Sequence, residues 1–373
     1  MAITDMQTYF ATAAFGLEGV VADELKSLGI KNAKAELGGA RFEATVQGAY
    51  EACLWLRCAD RVLLVLKEAK TLTFEELFQA VKAIAWEDYL PKDASFPVSG
   101  KCARSQLMSV SDCQSITKKA IVERLKERYK TDWFQETGAV YPIDVSLHGD
   151  IARLTIDLSG TALNRRGYRT WNGEAPLRET LAAALVKLSR WRAGDALHDP
   201  CCGTGTILIE AAMIMSNRAP GLNREFACDK WPMFPARERA ALREKANAAF
   251  DPSLVKGISG SDIDGKALEL CKKHIAQAGL EGRIEVYTKD LRTLQLQKSN
   301  GVFLANPPYG ERLGDKKSAE ALYGQMGSLL NRHESWHMGV LTSHPGFERC
   351  FGGRAQKKRR LYNGRLECEF LMY

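Results

Sequence analysis

The residues with the clearest chemical potential are Asn306, Pro307, Pro308 and Tyr309, which follow the apolar run 301–305. The run predicts a buried strand, and the two prolines fix the backbone and remove two N–H donors at its carboxyl end. The resulting rigid elbow would present the Asn306 side-chain oxygen and a main-chain carbonyl as two acceptors, beside the Tyr309 ring. Two acceptors and an aromatic ring suit a planar base that carries an exocyclic amine. The alternative interpretation is a plain proline-rich turn.

A second candidate site is the glycine-rich segment 199–206, between a predicted strand and an apolar helix. Gly203 and Gly205 would let the backbone approach a ligand closely, at the sheet edge where α/β proteins bind cofactors. The third glycine of a dinucleotide fingerprint is absent, and an acid, Asp199, precedes the turn. An acid at this place favours a ligand with a positive amino group over one with a pyrophosphate. The alternative is an ordinary glycine-rich turn.

Acidic residues also follow the next two predicted strands. Asp262 could accept hydrogen bonds from both hydroxyls of a ribose, whereas Asp264 is better suited to capping the following helix. Asp290 could accept a hydrogen bond from an adenine amine. Each acid taken alone could be only a cap or turn residue. Because the carboxyl ends of parallel strands meet at one sheet edge, these acids are predicted to converge there with Asp199 and Asn306.

Strands and helices alternate through the second half of the chain, which predicts a doubly wound, mostly parallel α/β sheet. After them, Asn363 and Gly364 separate two strand-like segments and predict an antiparallel hairpin with a tight primed turn. Dinucleotide-binding dehydrogenases do not usually end this way. The predicted parallel strands lie near residues 196–199, 257–262, 283–288, 301–305 and 336–342.

The first 160 residues or so have mixed α and β patterns. An apolar helical stripe begins at Leu17 and stops at Gly29, and Thr73 with Glu76 predicts a capping box. Asp112 or Ser115 is predicted to cap another helix, and residues 152–158 alternate like a half-buried strand. The polar, basic segment 159–169 is predicted to join the two parts of the chain.

Composition limits the class of protein. The 373 residues favour two domains, and the formal charge is +7. Residues up to Arg165 carry 20 basic and 22 acidic side chains, and the remainder carries 32 and 23, so the charge is concentrated in the second half. Excess positive charge suits a polyanion such as nucleic acid. The local stretch 101–130 is also basic, although a solvated helix face would look the same.

Other classes of protein are disfavoured. No apolar run reaches the roughly 18–20 residues that span a bilayer. The first residues resemble no export signal, so a cytoplasmic location is expected. The ten cysteines contain no C-x-x-C pair, which predicts neither a zinc site nor a disulfide framework. We therefore expect no metal and no membrane partner, and the sequence does not indicate an oligomeric state.

The order of these motifs resembles that of S-adenosylmethionine-dependent amino-methyltransferases. The segment 199–206 is similar to their cofactor-binding motif, Asp262 to the ribose acid, Asp290 to the adenine contact, and 306–309 to the motif of enzymes that methylate an exocyclic amine. Residues 174–180 resemble the segment that closes over the methionine end of the cofactor. Nearly the whole chain, including 219–232 and the terminal hairpin, is similar to THUMP-containing bacterial 23S rRNA guanine-N2 methyltransferases. That subgroup includes the N-terminal half of a fused enzyme that methylates two guanines.

The resemblance implies an α/β, class I S-adenosylmethionine-dependent methyltransferase fold that ends in an antiparallel hairpin and follows an N-terminal α+β THUMP-type RNA-binding domain. The implied divisions are a small ferredoxin-like part at 1–45, a THUMP-type domain at 46–160, a linker at 161–175 and a methyltransferase domain at 176–373. Cys201 departs from the usual pattern only at a variable, apolar position.

The resemblance also implies a role for individual residues. Asn306, Pro307 and Tyr309 would be catalytic, and structured RNA, most favourably 23S rRNA, would be the partner. S-adenosyl-L-methionine would be held by a set of strand-end and loop residues: Pro176, Arg178, Glu179, Asp199, Cys202, Gly203, Gly205, Asp262, Ile263, Asp290, Leu291 and Asn306. RNA would meet basic residues of the N-terminal region and the junction: Lys101, Arg104, Lys118, Lys119, Arg165, Arg166 and Arg169.

Further expectations concern the base and the competing functions. The loop 218–234 is predicted to border the base pocket, with Phe226 and Trp231 either stacking on RNA or packing in the core. A tRNA guanine-N2 methyltransferase is the nearest alternative. An adenine-N6 methyltransferase of DNA or RNA, a nucleotide-binding dehydrogenase and a non-catalytic RNA-binding protein are the others. Which nucleotide is modified, and whether in naked or ribosomal RNA, is not indicated by these residues.

Overall fold

The computed structural model describes residues 5–169, 177–192, 194–296, 300–310 and 315–373. In the N-terminal part, seven strands form one sheet in the order β2-β3-β1-β4-β7-β6-β5, in which β5 and β6 are parallel and the other neighbours antiparallel. The strands are β1 Gln7–Thr12, β2 Lys34–Glu36, β3 Gly39–Ala44, β4 Arg61–Lys70, β5 Val98–Ala103, β6 Ile143–His148 and β7 Ile151–Asp157. The helices are α1 Glu18–Ser27, α2 Val46–Trp55, α3 Phe74–Lys82 and α4 Val110–Tyr129.

This sheet is continuous across the predicted division between residues 45 and 46. Strand β4 pairs with β1 on one side and with β7 on the other, so the ferredoxin-like part and the THUMP-type part share one hydrogen-bonded ladder. The position of the division stays a prediction. The continuity means that the two parts are held as one unit.

Local sequence signals predicted most of the N-terminal helices. The Thr73–Glu76 capping box is present at the start of α3, and Gly29, with φ +89°, follows the end of α1. The predicted cap of α4 was wrong. Ser109 is the N-cap and its Oγ accepts from the Asp112 N–H, so the helix begins earlier and Asp112 lies in its first turn, where an acid favours the helix dipole.

The second sheet has the order β10-β9-β8-β11-β12-β14-β13. Its first five strands are parallel, and β14 pairs antiparallel with both β12 and β13, as the sequence predicted. The strands are β8 Ala196–Asp199, β9 Ile258–Asp262, β10 Glu285–Thr288, β11 Gly301–Ala305, β12 Trp336–Thr342, β13 Lys357–Asn363 and β14 Leu366–Met372. The helices are α5 Glu179–Leu188, α6 Thr206–Met215, α7 Ala236–Ala248, α8 Gly265–Gln277, α9 Asp315–Asn331 and α10 Phe347–Phe351.

The terminal hairpin turns one residue later than the predicted Asn-Gly pair. Asn363 pairs with Leu366, which leaves Gly364 and Arg365 as the two-residue loop. Gly364 has φ +67°, the left-handed conformation that primed turns require at their first loop position.

Buried charges join the two sheets. Arg166 is 3% exposed, and its Nε lies 3.4 Å from Glu210 Oε1. Tyr168 Oη donates to the same carboxylate oxygen at 3.1 Å. Arg57, also buried, donates to the carbonyl of Arg218 at 2.9 Å. Because buried ions are costly without partners, this network requires both sheets to keep their relative position.

Within the described residues, no helix combines the length and the apolar character needed to cross a membrane. In the same part of the chain, no cluster of three or more metal-binding side chains is found.

Candidate active site

The carboxyl ends of β8, β9, β10 and β11 bring the four predicted polar residues to one edge of the second sheet. Two adjoining cavities open there, and Cys201 lines both. The first, about 400 Å³, is lined by residues that include Asp199, Cys202, Gly203, Asp264 and Asn306. The second, about 900 Å³, is lined by residues that include Asp262, Ile263, Asp290, Leu291 and Tyr309.

The glycine-rich loop is shaped by two residues in the left-handed region. Gly203 has φ +50°, and its N–H donates to Asp262 Oδ2 at 2.8 Å, which connects the ends of β8 and β9. Gly205 has φ +83°, and a Cβ on it would lie 2.4 Å from Cys271 Sγ. A side chain at Gly205 would therefore push this loop away from α8.

Asp199 is a buried acid that lines the first cavity. It is 2% exposed, and its Oδ1 accepts from the Cys201 N–H at 3.0 Å. Burial, helped by the charge of Asp262, raises the pKa of the Asp199 carboxyl to about 8. Within the described residues no basic side chain forms an ion pair with it. A ligand with a positive group would supply the missing partner.

Ile263 and Asp262 border the second cavity, whereas Asp264 lines the first. Ile263 is 75% exposed, which is unusual for a residue of this type. Asp264 caps α8 by accepting from the Lys266 N–H at 2.8 Å, as predicted. An exposed apolar side chain next to the carboxylate of Asp262 suits a ligand with a flat apolar face and neighbouring hydroxyls.

Asp290 has a structural partner as well as a place in the cavity. Its Oδ1 accepts from the Arg292 N–H at 2.8 Å, and its Oδ2 accepts from Arg292 Nε at 2.8 Å. The Arg292 contacts lower the pKa of the Asp290 carboxyl. Asp290 therefore carries a negative charge at neutral pH. Because Oδ2 also accepts from Arg292 Nη2, the oxygen that retains a lone pair for a further donor is Oδ1.

The elbow after β11 has an internal hydrogen bond that the sequence did not predict. Tyr309 Oη donates to Asn306 Oδ1 at 2.5 Å, so the tyrosine hydroxyl occupies the acceptor that was expected to face a substrate amine. Tyr323, a buried residue of α9, donates its hydroxyl to the Pro308 carbonyl at 2.8 Å and holds the elbow from behind. Tyr323 carries no local sequence signal, because the packing of α9 against β12 and α10 brings it there.

The predicted closing segment is only partly described. Pro176 lies outside the described residues. Arg178 is exposed at the N-cap of α5. Glu179 is buried, lies 3.4 Å from Arg169 Nη1 and accepts from Asn164 Nδ2 at 3.2 Å. In this structure Glu179 thus connects the start of α5 to the junction segment.

The predicted RNA-contacting residues separate into two groups by exposure. Lys101, Arg104, Lys119 and Arg165 are exposed and remain candidates. Lys118 is half-buried, ion-paired to Glu136 at 2.6 Å.

The prediction for Arg166 was wrong. Its buried guanidinium pairs with Glu210 and donates hydrogen bonds to the carbonyls of Leu163 and Arg57. Arg169 is largely occupied too, since it donates to the Leu177 carbonyl at 3.2 Å and pairs with Glu179. The basic junction is therefore chiefly a structural connection rather than an RNA surface.

Of the two alternatives for Phe226 and Trp231, packing in the core is the one that the structure shows, and the residues that line the two cavities include none from the loop 218–234. Trp231 is 2% exposed and stacks on Tyr141 at 4.6 Å, and Phe226 is 3% exposed. Tyr50 Oη donates to Asp229 Oδ1 at 2.7 Å, which ties the loop to α2. The loop fills the joint between the two sheets, and its aromatic side chains are core residues.

Three family models match consecutive parts of the chain. Residues 8–63 match a model described as the RlmL ferredoxin-like domain, and residues 72–157 match the THUMP domain. Residues 166–371, more than half of the chain, match UPF0020, described as an RMKL-like methyltransferase domain. These matches confirm the predicted family resemblance and the class I methyltransferase fold with an N-terminal THUMP domain.

Similar proteins agree with this assignment. The chain is 43% identical to the putative RNA methyltransferase YpsC of Bacillus subtilis, over 98% of this chain and 95% of that protein. It is 36% identical to the ribosomal RNA large subunit methyltransferase K/L of Syntrophotalea carbinolica, over 98% of this chain but only 53% of that protein. A solved structure of SMU.472, a putative methyltransferase complexed with SAH, is 41% identical and superimposes with a TM-score of 0.93 over 99% of this chain and 98% of that one. The chain therefore belongs to the RMKL-like methyltransferase family and spans about half the length of its fused K/L relatives.

Proposed function

We propose that this protein transfers a methyl group from S-adenosylmethionine to the exocyclic N2 amine of a guanine in 23S rRNA. The observation that carries the proposal is the position of the Asn306 elbow on the same sheet edge as the cavity of the buried acid Asp199. The names of the relatives, which include putative RNA methyltransferase and ribosomal RNA large subunit methyltransferase, support RNA as the substrate. We expect the protein to act in the cytoplasm on structured RNA.

The described residues fit S-adenosylmethionine. Asp199 offers a buried carboxylate for its amino group, and the glycine turn leaves room beside the backbone at Gly203, where no atom lies within 4 Å of the missing Cβ. Asp262 and Asp290 would accept from its hydroxyls and its adenine amine, and exposed Ile263 would cover its flat base. When bound, the cofactor supplies an electrophilic methyl group on a positively charged sulfur.

The catalytic elbow would then raise the reactivity of the amine. The lone pair of a guanine N2 is delocalised into the ring, which makes the amine a poor nucleophile. Acceptance of its two hydrogens by Asn306 Oδ1 and the Pro307 carbonyl would favour a pyramidal nitrogen and localise the lone pair. Since no covalent intermediate with the protein is needed, positioning supplies much of the rate.

Tyr309 shares the acceptor that the base would use. Its hydroxyl takes one of the two lone pairs of Asn306 Oδ1 at 2.5 Å, which leaves the other for an incoming amine. Release of this hydrogen bond would let the ring stack on the base and fix its plane. The base itself has to be unpaired or flipped out of a helix to reach the edge of the sheet.

The N-terminal unit would hold the rest of the RNA through phosphate and shape contacts. The exposed basic residues that remain candidates are Lys101, Arg104, Lys119 and Arg165. Their joint neutralisation should weaken binding to all sequences and flatten its salt dependence.

The test is a transfer assay with methyl-labelled S-adenosylmethionine that offers protein-free 23S rRNA, bulk tRNA and DNA separately. The labelled product is digested and its nucleoside identified. N2-methylguanosine from 23S rRNA is the expected result. N2-methylguanosine from tRNA would support the reaction but show that tRNA, and not 23S rRNA, is the substrate. N6-methyladenosine from any of the three would overturn the proposal.

A further inference from the structure

The terminal hairpin projects beyond the edge of the sheet on which the candidate active site lies. Thr342, the last residue of β12, pairs with Glu369, while β14 begins three residues earlier at Leu366. At about 3.3 Å per residue, the tip extends roughly 10 Å past the end of β12. Cys368 Sγ lies 3.9 Å from Tyr309 Oη. The hairpin thus forms a wall beside the catalytic elbow.

The N-terminal unit touches the outer strand of this wall. Gly16 has φ +88°, and a Cβ on it would lie 2.5 Å from the carbonyl oxygen of Arg360. The neighbouring Phe15 ring meets the Tyr362 ring edge to face, with centroids 5.8 Å apart. Phe15 nevertheless remains 51% exposed. Two aromatic rings from opposite ends of the chain are therefore held together at the surface.

A carboxylate orders the polar groups around these rings. Glu367 Oε2 accepts from Tyr362 Oη at 2.8 Å, and Glu367 Oε1 lies 3.3 Å from Arg360 Nε. The Arg360 side chain stays 63% exposed, so part of its guanidinium faces solvent. We call Phe15, Tyr362, Arg360 and Glu367 the rim cluster.

The charge around the rim cluster is strongly positive. Residues 348–373 contain seven Lys or Arg and three Glu. Basic residues on an edge strand such as β13 can serve only to prevent sheets from pairing edge to edge. That explanation does not cover an exposed phenylalanine, which would favour association. A surface that combines base-sized rings with exposed cations fits single-stranded nucleic acid.

We propose that the rim cluster binds an unpaired RNA nucleotide next to the target base. The base stacks on the exposed Phe15 ring, which Tyr362 supports edge to face, and the phosphate meets Arg360 and exposed Arg365. The inference rests on the proposed function only in taking RNA as the substrate. It gives the protein a second RNA contact, formed jointly by the N-terminal unit and the methyltransferase domain, beside the position of the flipped base.

The test is the affinity for protein-free 23S rRNA, measured without cofactor at several salt concentrations. The double variant F15A/Y362A should bind the RNA about tenfold or more weakly, since stacking of one base contributes about 1–3 kcal/mol. Tyr362→Phe keeps the ring and should bind like the wild type. Leu254→Ala is the matched control. Leu254 is also 51% exposed, but it precedes β9 and so lies at the amino ends of the parallel strands, opposite the candidate active site.

Binding is read separately from methyl transfer, so the two proposals can fail separately. Weakened binding by F15A/Y362A, with an unchanged melting temperature, supports the rim cluster even if the methylated base proves not to be guanine. R360A/R365A should in addition lower the slope of log affinity against log salt by about 1.4, the value for two phosphates of a single strand. A double aromatic variant that binds within twofold of the wild type, or a wild type without affinity for the RNA, overturns the inference.

Discussion

Two buried carboxylates, Asp199 and Glu210, show how this protein uses charge in its interior. Both are almost fully inaccessible to solvent. Glu210 receives a guanidinium from Arg166 and a hydroxyl from Tyr168. Asp199 receives one main-chain N–H and, within the described residues, no cation. The difference indicates that Glu210 holds the two sheets together, whereas Asp199 is arranged to receive its cation from a ligand.

The pKa shifts follow the same division. Burial raises the pKa of the Glu210 carboxyl, but Arg166 and Arg57 oppose the shift. Burial raises the pKa of Asp199 to about 8, and there the second charge, Asp262, acts in the same direction. A buried acid whose neighbours do not compensate its charge is costly in the free protein, and binding of a cation removes that cost.

The largest effect is expected on the stability of the protein when Glu210, the buried acid with a cationic partner, is replaced. Glu210→Gln leaves the buried Arg166 without its counter-charge, and we expect the free energy of unfolding to fall by about 3–5 kcal/mol. Urea denaturation of the wild type and the variant measures this difference in the free energy of unfolding. The double variant R166M/E210L should recover part of this loss, because both charges are removed together. A loss below about 1 kcal/mol for Glu210→Gln would show that the pair does not hold the joint.

The opposite effect on stability is expected for Asp199, the buried acid without a cationic partner in the described residues. Asp199→Asn should weaken S-adenosylmethionine binding by about tenfold or more, since it removes a charged acceptor. The same substitution should stabilise the free protein at pH 7.5 by about 1–3 kcal/mol, because the buried carboxyl has to take up a proton at a pH well above its unfolded pKa and an amide does not. Calorimetric titration and thermal unfolding check the two effects. Loss of stability together with loss of binding would make Asp199 a structural residue like Glu210.

The pH dependence distinguishes the two acids further. A carboxyl whose pKa is raised on folding stabilises the protein fully below its unfolded value near 4, and this stabilisation is lost as pH rises through about 8. The charged form that binds a cation appears over the upper part of the same range. Cofactor affinity should therefore increase from pH 6 to 8 in the wild type. In Asp199→Asn that increase should be absent, and its persistence would assign the titration to another group.

The smallest effect is expected behind the catalytic elbow. Tyr323→Phe removes the hydroxyl that holds the Pro308 carbonyl at 2.8 Å, and we expect kcat to fall about five- to tenfold, as the loss of about 1 kcal/mol implies. Cofactor affinity and the KM for RNA should not change. Tyr9→Phe is the control, because the Tyr9 hydroxyl is buried without a hydrogen-bond partner in the described residues. Equal kcat values for the two variants would show that the Tyr323 hydroxyl does not position the catalytic elbow.

The convergence of the strand-end residues was predictable because it follows from topology. Once the strands are parallel, Asp262 and Asn306 must lie on one edge, whatever the side chains between them do. The roles of neighbouring basic residues were not predictable in this way. Arg165 is exposed and Arg166 is buried, although they are adjacent and chemically identical, because only the docking of the two sheets decides which side chain reaches Glu210.

Contacts between distant segments also escaped prediction. Phe15 and Tyr362 meet across nearly the whole length of the chain, and no local pattern relates them. The loop 218–234 shows the reverse case. Its aromatic residues fitted both a binding surface and core packing, and Trp231 is stacked on Tyr141 in the joint, since large rings bury the most apolar area when they are enclosed.

Single-turnover methyl transfer by Asn306→Ala, at saturating cofactor and RNA, measures whether the Asn306 oxygen activates the amine at the edge of the second sheet. We predict a rate at least about 100-fold below the wild type, similar to the loss of one positioned hydrogen-bonding group in other active sites. The melting temperature should be unchanged. A variant that keeps most of the wild-type rate would contradict the account and place the chemistry elsewhere.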